Sequence, residues 1–230
     1  MGTVDIVTKE YMRENAIFAD VFNYLIYGGK KVIDPAGLTE VDTATSAVGK
    51  KDALQKYRDV LKAAVIKQDE KMSYVLLGVE NQTDVHYAMP VRNAIYALQY
   101  GKQVSDIAAG HRRSQKDYSG KTGGEYLSGF LKEDHIKPVI TLVIHFGAEE
   151  WDGPLSLHEM MPIRDMEILS YVENYRIHLI DPAKLTEEEL NKFSTSMREV
   201  MGYIKYSNNK EKLLDFLRTD THKSIEMNAA

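Results

Sequence analysis

The sequence predicts a mixed α/β fold that ends in a helical tail. Two nearly unbroken apolar runs, at 73–79 and 138–147, are typical of strands that are buried on both faces of a sheet. Amphipathic patterns before, between and after these runs predict helices. Because strands and helices alternate through the middle of the chain, we expect an α/β sandwich.

The composition is that of an ordinary soluble protein and excludes several kinds of site. The 230 residues are 43% hydrophobic and 27% charged, so one domain can bury a sizeable core. The chain has no cysteine, which rules out disulfides, thiolate zinc sites and cysteine nucleophiles. It shows neither a run of about eighteen apolar residues nor a signal peptide, so we expect a cytoplasmic protein with no membrane partner. The net charge of −5 argues against a protein that coats nucleic acid by charge alone.

The first predicted element is one long helix. From Lys9 to Tyr27 apolar residues recur at helical spacing, and Gly28-Gly29 ends the helix. A turn at 34–37 and a short candidate strand at 38–41 follow. The apolar positions of this helix are Ile17, Phe18, Val21, Phe22 and Leu25.

The next element is a β-hairpin that ends in polar side chains. Its strands are expected at 60–66 and 73–79, joined by a five-residue polar loop at 67–71. Glu80 and Gln82 follow the second strand and share one of its faces, because side chains alternate along a strand. A buried strand that ends in such residues places polar groups where the core should end.

Asp59 precedes the first strand of this hairpin and is expected to pair close to Val79, beside Glu80. Neighbouring strands are about 4.8 Å apart, which brings the two carboxylates within reach of one cation. They would repel each other unless they were protonated or bridged by a cation. Mg²⁺ takes oxygen ligands at about 2.0–2.1 Å and needs only one or two carboxylates. The spacing suits a hydrated Mg²⁺ that also holds a phosphate, although by itself a glutamate at a strand end is usually just solvated.

A further helix begins at Pro90 and reaches about Ile107. Its apolar stripe consists of Val91, Ile95 and Leu98. A second face is shared by Arg92, Tyr96, Gln99 and Gln103.

The remaining elements are a loop, two strands and the tail helix. The glycine-rich stretch 119–125 predicts a mobile loop, and 138–147 and 175–180 predict strands, the second one weaker. Thr186 and Glu189 form a capping box in front of the tail helix. One face of that helix is apolar, most simply for burial in the core, with a dimer interface as the alternative. Its residues are Leu190, Phe193, Met197, Met201 and Ile204.

Four short motifs occur in a fixed order along the chain. Arg58 to Leu61 contains an Asp followed by two apolar residues, and Tyr74 to Thr83 is an apolar strand ending in Glu-x-Gln. Ala88 to Tyr96 is a helix start with an Arg and a Tyr, and Pro138 to Gly147 is a strand ending in an aromatic residue and a glycine. Together they resemble the Rpn-type recombination-promoting nucleases, which are also labelled transposases. The similarity covers 10–181.

This resemblance implies a restriction-endonuclease-like PD-(D/E)XK core, which is a central mixed sheet flanked by helices. Residues 1–183 would form the nuclease-like domain and residues 184–230 a helical C-terminal extension. The implied activity is metal-dependent hydrolysis of DNA phosphodiester bonds with Mg²⁺ or Mn²⁺, in transposition or recombination. Asp59 and Glu80 would hold the metal and, with Gln82, form the catalytic set.

The resemblance also assigns supporting residues. The wider superfamily usually has lysine where this chain has Gln82, whose amide can orient a water but is neither a charge nor a base. A first-helix acid often joins the metal site, and Asp20 is the nearest candidate, ahead of Glu14. The helix face beside the site corresponds to Arg92, Tyr96 and Gln99.

Several alternatives stay open. Arg112, Arg113 and Lys116 are candidates for contacts with the DNA backbone, or simply solvated surface. His145 is a satisfied structural histidine or a neighbour of the site. A homodimer is compatible with cutting both DNA strands. The chain could also be a catalytically inactive nuclease-fold module that binds nucleic acid or a protein partner, or a small-molecule α/β enzyme, for which no motif is found.

Overall fold

A mixed β-sheet forms the centre of the protein, and helices flank it. The computed structural model describes residues 3–41, 44–46, 55–57, 59–68, 71–114 and 122–228. Its strands are β1 (Thr39–Glu40), β2 (Ala44–Ser46), β3 (Gln55–Tyr57), β4 (Val60–Gln68), β5 (Lys71–Gln82), β6 (Val139–His145) and β7 (His178–Ile180). Its helices are α1 (Thr3–Arg13), α2 (Asn15–Tyr27), α3 (Met89–Tyr96), α4 (Leu98–Arg113), α5 (Gly123–Ser128), α6 (Met166–Leu169), α7 (Glu187–Leu190), α8 (Met197–Tyr206) and α9 (Lys210–Asn228).

The central sheet has five strands in the order β1-β4-β5-β6-β7. The pairs β1/β4 and β4/β5 are antiparallel, whereas β5/β6 and β6/β7 are parallel. The predicted α/β class with a mixed sheet and flanking helices is therefore confirmed. A second, two-stranded sheet of β2 and β3 lies where the sequence pattern predicts no strand.

The hairpin is longer than its hydrophobic pattern indicated. Strand pairing continues to Gln68 opposite Lys71, so the predicted five-residue loop at 67–71 is wrong. Backbone pairing needs no apolar side chains, and the polar character of these residues therefore did not mark the end of the strands. The strand expected at 175–180 is shorter in the structure, where β7 spans only three residues.

The two faces of the central sheet carry separate hydrophobic clusters. On one face Leu77 and Val79 of β5 belong to a cluster that includes Phe18 of α2 and Met201 of α8. On the other face a second cluster contains Tyr96 of α3, together with Val143 and Trp151. Because side chains alternate along β5, Glu80 and Gln82 at its end project towards α3 and away from α2.

The predicted helix from Lys9 to Tyr27 is two helices, α1 and α2, with an extended residue, Glu14, between them. The break has a tertiary cause. The buried ammonium group of Lys62 on β4 donates hydrogen bonds to the carbonyl oxygen of Arg13 and the side chain of Asn15. The predicted end of α2 is confirmed, since Gly28 adopts a left-handed conformation with a φ of 62°.

The tail helix is also interrupted. The capping box of Thr186 and Glu189 is confirmed, but α7 ends at Leu190 and α8 begins at Met197. The predicted apolar face lies in the core: Leu190, Met197 and other tail residues belong to the same cluster as α2. Gly202 of α8 allows a close approach of Phe216 of α9, because a Cβ there would overlap the aromatic ring. The helical extension therefore shares the core of the sheet.

The predicted helix from Pro90 to Ile107 is divided into α3 and α4 at Ala97, and its buried face is the polar one. Tyr96 is fully buried and Gln99 is 3% exposed, whereas Val91 and Leu98 of the apolar stripe are 40% and 43% exposed. The reason is that α3 covers the end of β5, where a buried carboxylate requires hydrogen-bond donors.

Two further findings concern the helices. The prediction of a mobile loop at 119–125 is wrong for its last residues, because Thr122 and Glu125 form a capping box that opens α5. The earlier residues of that stretch lie outside the described part of the chain. Within the described residues, no helix is long and apolar enough to cross a bilayer.

Candidate active site at the end of the central strands

The ends of β4 and β5 bring the two predicted carboxylates side by side. The sequence predicts that Asp59 pairs close to Val79; Val60 is the residue opposite Val79, so Asp59 and Glu80 are the next residues beyond that pair. Asp59 Oδ2 accepts a hydrogen bond of 2.8 Å from the backbone N–H of Asn81. This bond fixes the Asp59 carboxylate against the end of β5.

Glu80 is a buried carboxylate whose partners include the side chains of Arg92, Tyr96 and Gln82. Its side chain is 1% exposed. Oε2 accepts a hydrogen bond of 2.6 Å from the hydroxyl of Tyr96. Oε1 forms an ion pair with Arg92 and accepts a hydrogen bond of 3.2 Å from Gln82 Nε2. Since burial of a carboxylate without partners costs several kcal/mol, these donors make its position in the fold tolerable.

Arg92 and Tyr96 lie one helical turn apart on α3 and act together. Arg92 Nε donates a hydrogen bond of 2.9 Å to the Tyr96 hydroxyl, which in turn donates to Glu80. Burial, followed by the charge of Glu80, raises the pKa of the Tyr96 hydroxyl, so this group is a donor at neutral pH. Burial alone would lower the pKa of Arg92, but the charge of Glu80, together with Tyr96 and Asp59, outweighs burial and the pKa of Arg92 is raised.

Gln82 offers an acceptor rather than a donor. Its amide nitrogen donates to Glu80 Oε1 and, at 2.7 Å, to the backbone oxygen of Asn81. These two bonds use both amide hydrogens. The side-chain oxygen of Gln82 is therefore the group with which this residue can orient a water molecule.

These side chains border an open depression with a volume of about 340 Å³. Its walls are the end of β5 and the segment that connects β5 to α3. The lining residues are Asp59, Glu80, Asn81, Gln82, Thr83, Asp84, Val85, His86 and Arg92. The three side chains that the sequence pointed to, Asp59, Glu80 and Gln82, therefore line the same depression.

The depression matches a hydrated divalent cation in the kind and number of its donors. Asp59 and Glu80 provide carboxylate oxygens, and Mg²⁺ needs only one or two of these because it keeps several waters. Within the described residues no group of three or more His, Cys, Asp or Glu side chains is arranged around a metal position. The positive charge of Arg92 opposes the binding of a cation here, because its guanidinium already pairs with the Glu80 carboxylate.

Two lining residues carry buried polar atoms without hydrogen-bond partners in the described part of the chain. These atoms are Nδ2 and Oδ1 of Asn81 and Nδ1 of His86. Each such group costs about 1–3 kcal/mol of stability. Costs of this kind are tolerated at functional sites, which agrees with a functional role for this depression.

The decisive comparison is with protein-family models. The chain matches the family described as "Putative transposase, YhgA-like" over residues 7–227. The chain belongs to this family. No curated protein and no solved structure matches it. The family resemblance drawn from the sequence motifs is confirmed, and the match extends beyond 10–181 to include α8 and α9.

The first-helix acid expected for this YhgA-like family member is not at the depression. Asp20 is 4% exposed, and its carboxylate accepts hydrogen bonds from the backbone and hydroxyl groups of Ser194 and Thr195. It lies on α2, on the opposite side of the sheet from Glu80, and the prediction of Asp20 as a metal ligand is wrong. Glu14, the second candidate, lies between α1 and α2 on that same side.

The other predicted residues are distributed unevenly. Arg92 lines the depression and Tyr96 contacts Glu80, whereas Gln99 is buried one turn further along, outside the lining. Arg112 and Arg113 are exposed at the end of α4 and are also outside the lining. Lys116 lies outside the described residues.

His145 ends β6 directly opposite Gln82. Its ring nitrogens lie 3.3 Å from the backbone oxygen of Gln82 and 3.0 Å from that of Glu149. A neutral imidazole donates to only one of these two oxygens. His145 therefore makes a structural hydrogen bond and adjoins the strand end, but it is not among the residues that line the depression.

Asp84 and His86 also line the depression, although no sequence pattern predicted them there. A signal was present: both lie in the short polar segment between the apolar strand and Pro90. Such a segment returns the chain from a strand end to a covering helix, so its polar side chains remain near that strand end.

Proposed function

We propose that this member of the YhgA-like transposase family is a metal-dependent endonuclease that hydrolyses DNA phosphodiester bonds on a PD-(D/E)XK-type core. The observation that carries the proposal is that Asp59 and Glu80, from adjacent strands, line one open depression. The family description supports DNA as the polymer, since a transposase acts on DNA.

In this mechanism Asp59 and Glu80 would hold one Mg²⁺ or Mn²⁺ ion, which would supply Lewis acidity towards a water molecule and a phosphate oxygen. Gln82 accepts a hydrogen bond from the water through its side-chain oxygen and so directs it, but an amide cannot remove the proton. Tyr96 holds the Glu80 carboxylate in place through the bond to Oε2.

The test is a plasmid-nicking assay with Mg²⁺, with Mn²⁺ and with a chelator. We expect Asp59→Ala to lower the cleavage rate by about 100-fold or more, the usual effect of removing a group that stabilises a charged transition state. Asp106→Ala is the matched control, because Asp106 is an exposed aspartate on α4 whose side chain pairs with Lys102. Equal cleavage by Asp59→Ala and the wild-type protein would exclude the assignment.

A second candidate function is a nuclease-fold module that binds nucleic acid or a protein without cutting. The favouring observation is that Glu80 is almost completely buried and already paired with Arg92. Calorimetric titration with Mn²⁺ separates the two functions. The endonuclease requires metal binding that Glu80→Gln abolishes, whereas an inactive module shows no Glu80-dependent binding.

A further inference from the structure

The ion pair between α3 and β5 is asymmetric in its exposure. The Glu80 side chain is 1% exposed, whereas that of Arg92 is 24% exposed and lines the depression. The carboxylate is therefore fixed in the protein, and the guanidinium lies at the boundary with solvent. Of the two partners, Arg92 is the one that can move without exposing the core.

Arg92 and a divalent cation would share the carboxylate of Glu80. Arg92 pairs with Oε1 of Glu80, while Tyr96 donates to Oε2. Asp59, the second carboxylate of the depression, adjoins Glu80 across the strand pair. Two cations at one carboxylate repel each other, so binding of the metal at Asp59 and Glu80 weakens the hold of Glu80 on Arg92.

From this geometry we infer that Arg92 competes with the divalent cation for Glu80 and, once displaced, binds a phosphate of the DNA in the depression. The inference rests on the proposed endonuclease function. It assigns to α3 the positive charge that the neutral Gln82 does not supply. A guanidinium suits this task, because its planar donors match a phosphate in a bidentate arrangement.

The first test measures Mn²⁺ affinity by calorimetry, without any substrate. Because Arg92→Gln removes the competing cation, we expect it to bind Mn²⁺ about ten-fold more tightly, or about 1.4 kcal/mol. Arg164→Gln is the matched control, since it removes an exposed arginine whose side chain bonds to the backbone oxygens of Met161 and Ile163. Arg92→Lys keeps the charge and should remain close to the wild-type affinity. Unchanged or weaker binding by Arg92→Gln overturns the competition.

Thermal unfolding shows whether Arg92→Gln is folded, so that a change in Mn²⁺ affinity can be distinguished from misfolding of the variant. Without metal, Arg92→Gln leaves the Glu80 carboxylate without its cation, so its melting temperature should fall below that of the wild-type protein. Saturating Mn²⁺ should then raise the melting temperature of Arg92→Gln by more than it raises that of the wild-type protein. The double variant Arg92→Gln/Glu80→Gln should regain stability and lose the response to Mn²⁺. An equal response in Arg92→Gln and the wild-type protein counts against the competition.

The second test examines the phosphate. We measure binding of a hydrolysis-resistant phosphorothioate duplex by fluorescence anisotropy over a range of salt concentrations. With Mn²⁺, Arg92→Gln should weaken binding and reduce the salt dependence by about one phosphate contact. Without Mn²⁺ it should have little effect, because Glu80 then retains Arg92. If Arg92→Gln weakens duplex binding equally with and without Mn²⁺, the inferred movement of Arg92 from Glu80 to a phosphate is wrong.

These outcomes distinguish the inference from the proposed function. If the wild-type protein binds Mn²⁺ through Glu80 and Arg92→Gln changes nothing, the inference fails and the endonuclease proposal stands. If neither protein binds Mn²⁺, both fail together.

Discussion

At the scale of single residues, the site depends on a short series of hydrogen bonds. Arg92 donates to Tyr96, Tyr96 donates to Glu80, and Arg92 also pairs with Glu80 directly. Tyr96 is fully buried although it carries a hydroxyl, because that hydroxyl satisfies the carboxylate. A helical face that looked polar in the sequence is therefore the buried one.

We expect Tyr96→Phe to lower the free energy of unfolding by about 1–3 kcal/mol, because it leaves a buried carboxylate oxygen without its donor. Tyr87→Phe is the control, since that hydroxyl bonds to Asp152 at the surface and Tyr87 is 60% exposed. Urea unfolding of both variants provides the measurement. Similar losses in the two variants would show that the Tyr96 hydroxyl has no special role.

At the scale of secondary-structure elements, the predicted helices exist but are divided. In each of two cases the partner at the break comes from a distant part of the chain. Lys62 of β4 bonds to the end of α1, and Asp20 of α2 bonds to Ser194 and Thr195 before α8. Periodicity within one segment cannot reveal such partners, because they are set by packing across the sheet.

Asp20→Asn tests whether the Asp20 carboxylate stabilises the fold through its hydrogen bonds with Ser194 and Thr195, and does not bind the metal as predicted. We expect a loss of about 1–3 kcal/mol in unfolding free energy, because an amide cannot accept all the hydrogen bonds of the buried carboxylate. Asp34→Asn, at the exposed cap of the turn at Pro35–Gly37, should cost clearly less. Mn²⁺ affinity by calorimetry should not change in Asp20→Asn. Weaker Mn²⁺ binding by Asp20→Asn would instead support Asp20 as a metal ligand.

At the scale of the whole molecule, the sheet and the C-terminal helices share one hydrophobic core. Residues of α8 and α9 belong to the cluster that α2 forms with β5. The family match likewise covers both parts of the chain. The division at residue 183 and a homodimer stay predictions.

The stability of the whole protein should decline in alkaline solution. Burial, followed by the charge of Glu189, raises the pKa of Tyr24 from 10.0 to about 12. The unfolded chain therefore loses this proton first, and the stabilising contribution, complete below pH 10, is lost as the pH rises towards 12. Urea unfolding at pH 9 to 11.5 should show a smaller decline for Tyr24→Phe than for the wild-type protein. Parallel declines would contradict this account.

The sequence by itself determined the α/β class and the placement of Asp59 close to Glu80, because each depends on local periodicity and on strand pairing close in sequence. The expected pairing of Asp59 close to Val79 holds within one residue, since Val60 lies opposite Val79 and Asp59 is therefore beside Glu80. Local patterns also predicted the left-handed end of α2 and the capping box at Thr186.

Only the tertiary structure decided what surrounds these carboxylates. It placed Asp20 on the opposite face of the sheet and turned the polar face of α3 inward, against Glu80. It also brought His86 to the depression. The physical reason is that a buried charge takes its partners from whichever element packs against it, and that packing depends on contacts between residues far apart in the sequence.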